Sequence, residues 1–290
     1  MKIHLDCIPC FISQALQASR FATADEGKQE EILREVLAVI DRNDWSATAS
    51  EMAVRVHYTV MNMLGEVDPY REEKERSNAI VLDMYDRLKQ DIESDADPLA
   101  RVLKLAIAGN IMDYGAKREF DIHDTIRHLT GTPFSIDHSR DLKRDLDAAE
   151  SIAILADNAG EIVFDRLFME TVDKSCGRKE WHLFIKAKPI INDATREDVS
   201  QIGLDTVENI TIHEVELNRD FDERTEEAFA TRLGPYDFAI SKGQGNYEAL
   251  SGMRGVNLYF LLMAKCRLVA RDIGVECDDF IVLHRPKNSR

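Results

Sequence analysis

The residues best placed to do chemistry lie between Ser151 and Phe168, in SIAILADNAGEIVFDRLF. An apolar run stops at Asp157-Asn158, passes Gly160 and resumes as a helical pattern. That pattern is a strand, a tight turn and a helix, with a carboxylate and an amide at the carboxyl end of the strand. In open α/β sheets ligands bind at that end. The loop offers oxygen donors suited to a hard metal ion, rather than the repeated glycines that cradle a dinucleotide.

Two further strand ends carry polar loops: Lys186 to Ala194, and Ser241 to Glu248. In a parallel sheet the carboxyl ends share one edge, so the three loops converge despite their separation in sequence. Asp157, Asn158 and Asp193 would then offer two carboxylates and an amide carbonyl, a set that suits Mg²⁺ or Mn²⁺ and leaves positions for water and a phosphate oxygen. Lys188 and Lys242 are placed to neutralise the phosphate. Backbone N–H groups around Gly160 and from Gly243 to Gly245 are placed to bind its other oxygens. Each residue also has a structural reading. Asn158 with Glu161 has the spacing of a capping box. Asn192 or Asp193 suits the cap of the next helix. Lys186 and Lys188 read equally as solvated edge residues, and GQG as a plain turn.

The elements that must position these loops change character along the chain. QALQASRF, EEILREVLAVIDRN, EMAVRVHYTVMNMLG and AIVLDMYDRLKQDIESD carry helical spacing, and another helix opens after Pro98. The charged stretch from Asp68 to Asn78 reads as a connector or a solvated helix start. After about Lys143 strand-like runs appear at SIAILA, WHLFIKA, ENITIHEV, YDFAIS, VNLYFLLM and DFIVLHR, with helical patterns between several of them. This alternation predicts an amino-terminal helical region, residues 1–145, and a three-layer α/β/α domain, residues 146–290, with a largely parallel sheet that carries the site.

Composition narrows the partners. The 37 basic and 53 acidic residues give a formal net charge of -16. That field repels a nucleic-acid backbone but leaves room for a small anion at a local cation. No apolar run is long enough to span a membrane, and MKIHLDCIPC lacks a signal-peptide core, so a cytoplasmic location is expected. Five cysteines do not indicate a disulfide scaffold.

In order and context, DNAGE, KAKPIINDAT and SKGQGNYE resemble the metal-dependent damage-control phosphatases, a former domain of unknown function related to acidic-residue methyltransferase-like proteins. LDCIPC and AGNIMDYG are similar to the prokaryotic and archaeal branch, so the resemblance covers nearly the whole chain. It implies a divalent metal (Mg, Mn, Co or Ni) at Asp157, Asn158 and Asp193, and hydrolysis of small phosphomonoesters such as sugar phosphates or damaged phosphometabolites. Asn110 and Lys242 match positions expected around the substrate. Glu161, Lys188, Gly243 and Gly245 complete the expected contacts.

Cys7 and Cys10 form a CxxC on a first helical turn, and Cys266 follows a predicted strand. The branch resembled carries a comparable downstream cysteine, which implies an accessory metal role for the three. Buried small residues are the plainer reading, since a structural metal usually wants four ligands. His4 and His57 stay unassigned. For the reaction, metal-assisted attack by water and direct attack by Asp157 are both open. The rival functions are a non-catalytic metal or metabolite binder and, from the relatives' name alone, a carboxyl methyltransferase.

Overall fold

The structure is a computed structural model that describes residues 1–109, 131–216 and 225–288. Among them seven strands form one sheet: β1 (Ile136–Asp137), β2 (Ser151–Leu155), β3 (Glu180–Lys186), β4 (Ile210–Val215), β5 (Phe238–Lys242), β6 (Leu258–Met263) and β7 (Phe280–Arg285). Their spatial order is β1-β7-β6-β5-β2-β3-β4. All pairings are parallel except β6 with β7. The central strands are apolar because both of their faces are covered: every residue of LYFLLM in β6 is buried.

Helices cover the two faces unequally. Ile152, Ile154, Leu183 and Ile240 point into a core built with α4 (Arg71–Asp83), α5 (Tyr85–Glu93), α6 (Pro98–Ala108), α7 (Ser139–Ala148), α8 (Glu161–Cys176) and α9 (Arg196–Gln201). Ala153, Leu155, Ala239 and Phe260 face the other core, with α10 (Thr225–Leu233), α11 (Gly243–Leu250) and α12 (Arg267–Ile273). The three-layer arrangement with a largely parallel sheet is therefore the expected one.

Ahead of it, α1 (Cys7–Ala22), α2 (Glu26–Arg42) and α3 (Ala49–Met63) share a separate core of Phe11, Ile32, Val36, Met52 and Val60. Local signals start these helices. Asp25 caps α2 by accepting from Gly27 N and Lys28 N, and Thr48 with Glu51 forms a capping box on α3. The first-half helices α4 to α6 pack on the sheet instead.

Three features differ from the sequence expectation. The strand β1 is only two residues long, too short to show a period. The pattern from Ala79 to Asp95 is broken at Met84 into α4 and α5. The charged stretch before Asn78 is a helix start, as one reading had it, with Arg71, Glu72, Glu75 and Arg76 exposed, but its other face buries Lys74 and Asn78.

The topology locates the site. From β2 the chain runs through β3 to β4 on one side; β5, β6 and β7 build the other side. The order therefore reverses between β2 and β5, and in open α/β sheets ligands bind at the carboxyl ends of the strands beside such a reversal. Asp157 follows β2, and Gly243 follows β5.

Candidate active site

The loops after β2 and β3 pair with each other. Ala159 N donates to Asn192 O at 2.9 Å and Ala194 N donates to Asp157 O at 2.8 Å, forming an antiparallel bridge between Asn158 and Asp193. Two segments more than thirty positions apart thus hold Asp157, Asn158 and Asp193 in one place. The Asn158 amide nitrogen donates to Asp157 Oδ2 at 2.9 Å, which directs the amide oxygen away from that carboxylate.

The structural readings of these residues are met by other groups. Helix α8 starts at Glu161 with Gly160 as its N-cap, so Asn158 lies two residues ahead of the cap. Helix α9 is capped by Thr195 in a capping box with Asp198, and Asp193 lies outside it. Asp193 instead has its Oδ2 3.5 Å from Lys186 Nζ.

The loop after β5 closes the third side. Asp157 packs against the backbone of Gly243, whose φ is 75°. A Cβ added there would overlap the Asp157 carboxylate, so the close approach requires glycine. Asn246 in the first turn of α11 donates to Ala156 O at 3.1 Å and to Lys242 O at 2.8 Å, while its Oδ1 accepts from Lys186 Nζ at 3.2 Å. One amide therefore connects the ends of β2, β3 and β5.

These groups open on a cavity of about 830 Å³ between the strand ends and helices α1, α3 and α4. Asp157, Asn158, Asp193, Lys186, Gly245 and Asn246 line it. Lys188 is exposed, and Lys186 takes the position at the cavity wall. Lys265, just beyond β6, lines the cavity as well. Sequence reasoning read Lys186 as a solvated edge residue, gave Asn246 no role and did not single out Lys265. The signal for Lys186 was its place as the last residue of a buried strand, facing the shared edge.

Lys242 lies behind the loops, not on the cavity wall. It is 1 % exposed and donates to Ala106 O at 2.9 Å, Glu161 Oε1 at 2.7 Å and Asp165 Oδ1 at 2.5 Å. An ammonium has three protons, and all three are engaged. Burial alone would lower the Lys242 pKa; Asp165 and Glu161 more than reverse this, and the net shift is upward. The Glu161 pKa is pushed up to about 7, chiefly by burial, with Lys242 opposing the rise and Asp165 adding to it. Asp165, the acid that sequence reasoning missed, sits one helical turn after Glu161 and faces the same lysine. Near them Gly109 lets α6 approach α8, since a Cβ there would meet the Phe164 ring. Asn110 lies outside the described residues.

Cys7, Cys10 and Cys266 come together on another wall of the cavity. Burial raises the Cys10 pKa first, and the neighbouring thiols of Cys7 and Cys266 raise it further. Gln244 donates to Cys266 Sγ at 3.5 Å and to Glu248 Oε1 at 2.9 Å. Among the described residues no group of three or more His, Cys, Asp or Glu side chains could hold a metal ion.

The donor chemistry at Asp157, Asn158 and Asp193 nevertheless fits a small hard cation. Mg²⁺ and Mn²⁺ are commonly held by one or two carboxylates, with water and substrate phosphate completing the shell. Two of the three donors here are acids, and the third is an amide oxygen. No thiol or imidazole belongs to this set, which disfavours a soft ion.

A largely parallel sheet with oxygen-rich loops at its switch point defines an α/β protein with a ligand site at that edge, and comparison with known proteins makes the class specific. The damage-control phosphatase ARMT1-like domain matches residues 3–281. The chain belongs to this family. It is 34% identical to an uncharacterized protein of Methanocaldococcus jannaschii, over 98% of this chain and 96% of that protein. It is 31% identical to a damage-control phosphatase of Archaeoglobus fulgidus, over 97% of this chain and 98% of that one. The crystal structure of a DUF89 family protein from Pyrococcus horikoshii superposes with a TM-score of 0.83 at 26% identity, covering 98% of this chain and 99% of that chain. The family is one of phosphatases, the class expected from the sequence motifs.

Proposed function

We propose that the cavity hydrolyses phosphomonoesters of small metabolites, with a divalent metal held by Asp157, Asn158 and Asp193. The observation that carries this reading is the pairing of the β2 and β3 loops, which gathers three oxygen donors at the switch point beside Gly243. A bound divalent cation supplies positive charge against the phosphate and acidifies water. Mg²⁺, Mn²⁺, Co²⁺ and Ni²⁺ are the candidates.

The chain's own residues then have separable tasks. Lys186, oriented by Asn246, offers its ammonium to the phosphate oxygens from the β3 side. Lys265 offers a second positive charge from the β6 side. The N-terminus of α11 presents backbone N–H groups at Gln244 and Gly245, where an anion is favoured. Away from the strand ends the cavity carries Gln14, Gln17, Glu51 and Glu73, with Arg267 beside Lys265 as a further cation. The side chains of Gln14, Gln17, Glu51 and Glu73 accept hydrogen bonds from hydroxyl groups, which supports a substrate with a polyol body, as in a sugar phosphate. The formal net charge of -16 argues against nucleic acid.

No helix among the described residues is long and apolar enough to cross a membrane, and all five cysteines are free thiols, which supports a reducing cytoplasmic setting. The test is a panel of phosphomonoesters with each of the four metals and a chelator control, using reduced protein. Phosphate release that is metal-dependent and lost in Asp157→Ala is expected. Release from none of the panel by metal-loaded protein overturns the reading in favour of a binding protein.

A further inference from the structure

The two loops that carry the proposed metal ligands each contain a residue with positive φ. Gly160, two residues after Asn158, has φ 76°, and Ile191, two residues before Asp193, has φ 49°. For a β-branched residue such as Ile191 the left-handed conformation costs about 1–2 kcal/mol. A conformation of this kind persists only where the surroundings determine it. In both loops the N–H of that residue is held by a side chain from the amino-terminal helices. Gly160 N donates to Asn78 Oδ1 at 2.6 Å, and Ile191 N donates to His57 Nε2 at 3.1 Å.

The acceptors are themselves fixed. Asn78 is 0% exposed, and its amide nitrogen donates to Asp198 Oδ1 at 2.9 Å and Gln201 Oε1 at 2.8 Å on α9. Lys74, one turn earlier on α4, contacts Asp198 Oδ2 at 2.9 Å and Thr195 Oγ1 at 3.1 Å. Helix α4 therefore grips the loop after β2 and the helix start after the loop of β3. Helix α3 adds His57, which is 4% exposed. Burial and the nearby charge of Lys74 lower its pKa to about 4, so it stays a neutral acceptor at neutral pH. Ile191 also packs its side chain against the core of α1 to α3.

We infer that Asn78 and His57 are positioning residues. Resting on the metal reading above, the inference is that they hold Gly160 and Ile191 left-handed so that Asp157, Asn158 and Asp193 present their oxygens together. The helical half is then part of the metal site, acting through two backbone N–H groups, without touching the ion. Groups that orient ligands in this way typically cost about 10–100-fold in metal affinity when replaced.

The test measures Mn²⁺ binding directly, by the paramagnetic resonance of free Mn²⁺ titrated with metal-free protein, in variants whose folding is checked by metal-free melting. Asn78→Ala and His57→Phe should each weaken Mn²⁺ binding about 10–100-fold. His57→Gln should restore most of it, because its amide oxygen reaches the position of Nε2. Arg76→Ala, at an exposed position on α4, leaves Asn78 and its partners in place and should bind Mn²⁺ like the wild type. Wild-type affinity in folded Asn78→Ala and His57→Phe overturns the inference. So does equal weakening in Arg76→Ala, or no recovery in His57→Gln. The two residues lie on different helices, so if one variant does not fold the other decides. A wild-type protein that binds no Mn²⁺ overturns the metal reading instead.

Discussion

Two regions of the molecule contain the same three charged groups, two carboxylates and an ammonium, and use them differently. At the cavity, Asp157 and Asp193 stand with Lys186. Behind it, Glu161 and Asp165 stand with Lys242. Each set has two carboxylates and one ammonium, and the two are joined in sequence, since Glu161 closes the DNAGE loop and Lys242 immediately precedes Gly243. At the cavity the lysine lies 3.5 Å from Asp193, with side chains 15% and 17% exposed. Behind it the ion pairs are 2.7 Å and 2.5 Å long, between side chains no more than 2% exposed. A pair at the cavity wall can exchange partners with water and substrate. A buried pair does not, because separating it leaves an uncompensated charge in a poor solvent. Composition therefore does not tell a reactive site from an internal brace; the dielectric surroundings do.

Exchanging each lysine for methionine is the strongest way to break this comparison. Lys242→Met strands two buried carboxylates and should cost about 3–5 kcal/mol of stability, read by urea unfolding. Lys186→Met, at a partly buried pair on the cavity wall, should cost less stability than Lys242→Met. It should still lower kcat/KM for phosphate release by about 10²-fold, the scale of removing one group that stabilises developing charge. A stable but inactive Lys242→Met would reverse the assignment and return that lysine to the phosphate.

The glycines of GQG sharpen the contrast on a smaller scale. Gly243→Ala places a Cβ against Asp157 and forces alanine into a left-handed conformation, an expected loss of about 1–2 kcal/mol. It should also disturb metal-dependent activity, because the displaced group is a proposed ligand. Nothing lies within 4 Å of a Cβ at Gly245. Gly245→Ala should stay within about 0.5 kcal/mol of the wild type, in thermal melts with and without metal. Equal effects at the two positions would mean that the loop of β5 does not support Asp157.

Much of this architecture is legible in the sequence because it rests on local patterns. The apolar runs of β2, β3, β5 and β6 announce central strands, and DNAGE announces a polar turn at a strand end. Which lysine reaches the cavity is not local. Lys186, Lys188 and Lys242 all follow or end apolar runs, and only the packing of α6 and α8 shows that Lys242 is enclosed by Ala106, Glu161 and Asp165. Asn78 was hidden for a related reason. It closes a strongly charged stretch that reads as solvated, and its partners Gly160 and Asp198 lie 82 and 120 positions away.

The finest test of the comparison concerns pH. Glu161 starts from 4.5 as an ordinary carboxyl and is pushed up to about 7 in the fold, first by burial, with Lys242 opposing and Asp165 adding to the rise. Between those values the folded chain holds a proton that the unfolded chain has released. The stabilising contribution of this group is thus fully present below about pH 4.5 and is lost as the pH rises to about 7. Glu161→Gln removes the titration, so its unfolding free energy should fall less than that of the wild type between about pH 5 and about pH 8. Urea unfolding at the two pH values measures the difference. Identical pH dependence in the two proteins would mean that Glu161 stays ionised throughout. The buried set would then behave as an ordinary ion pair, and its contrast with the cavity set would rest on geometry alone.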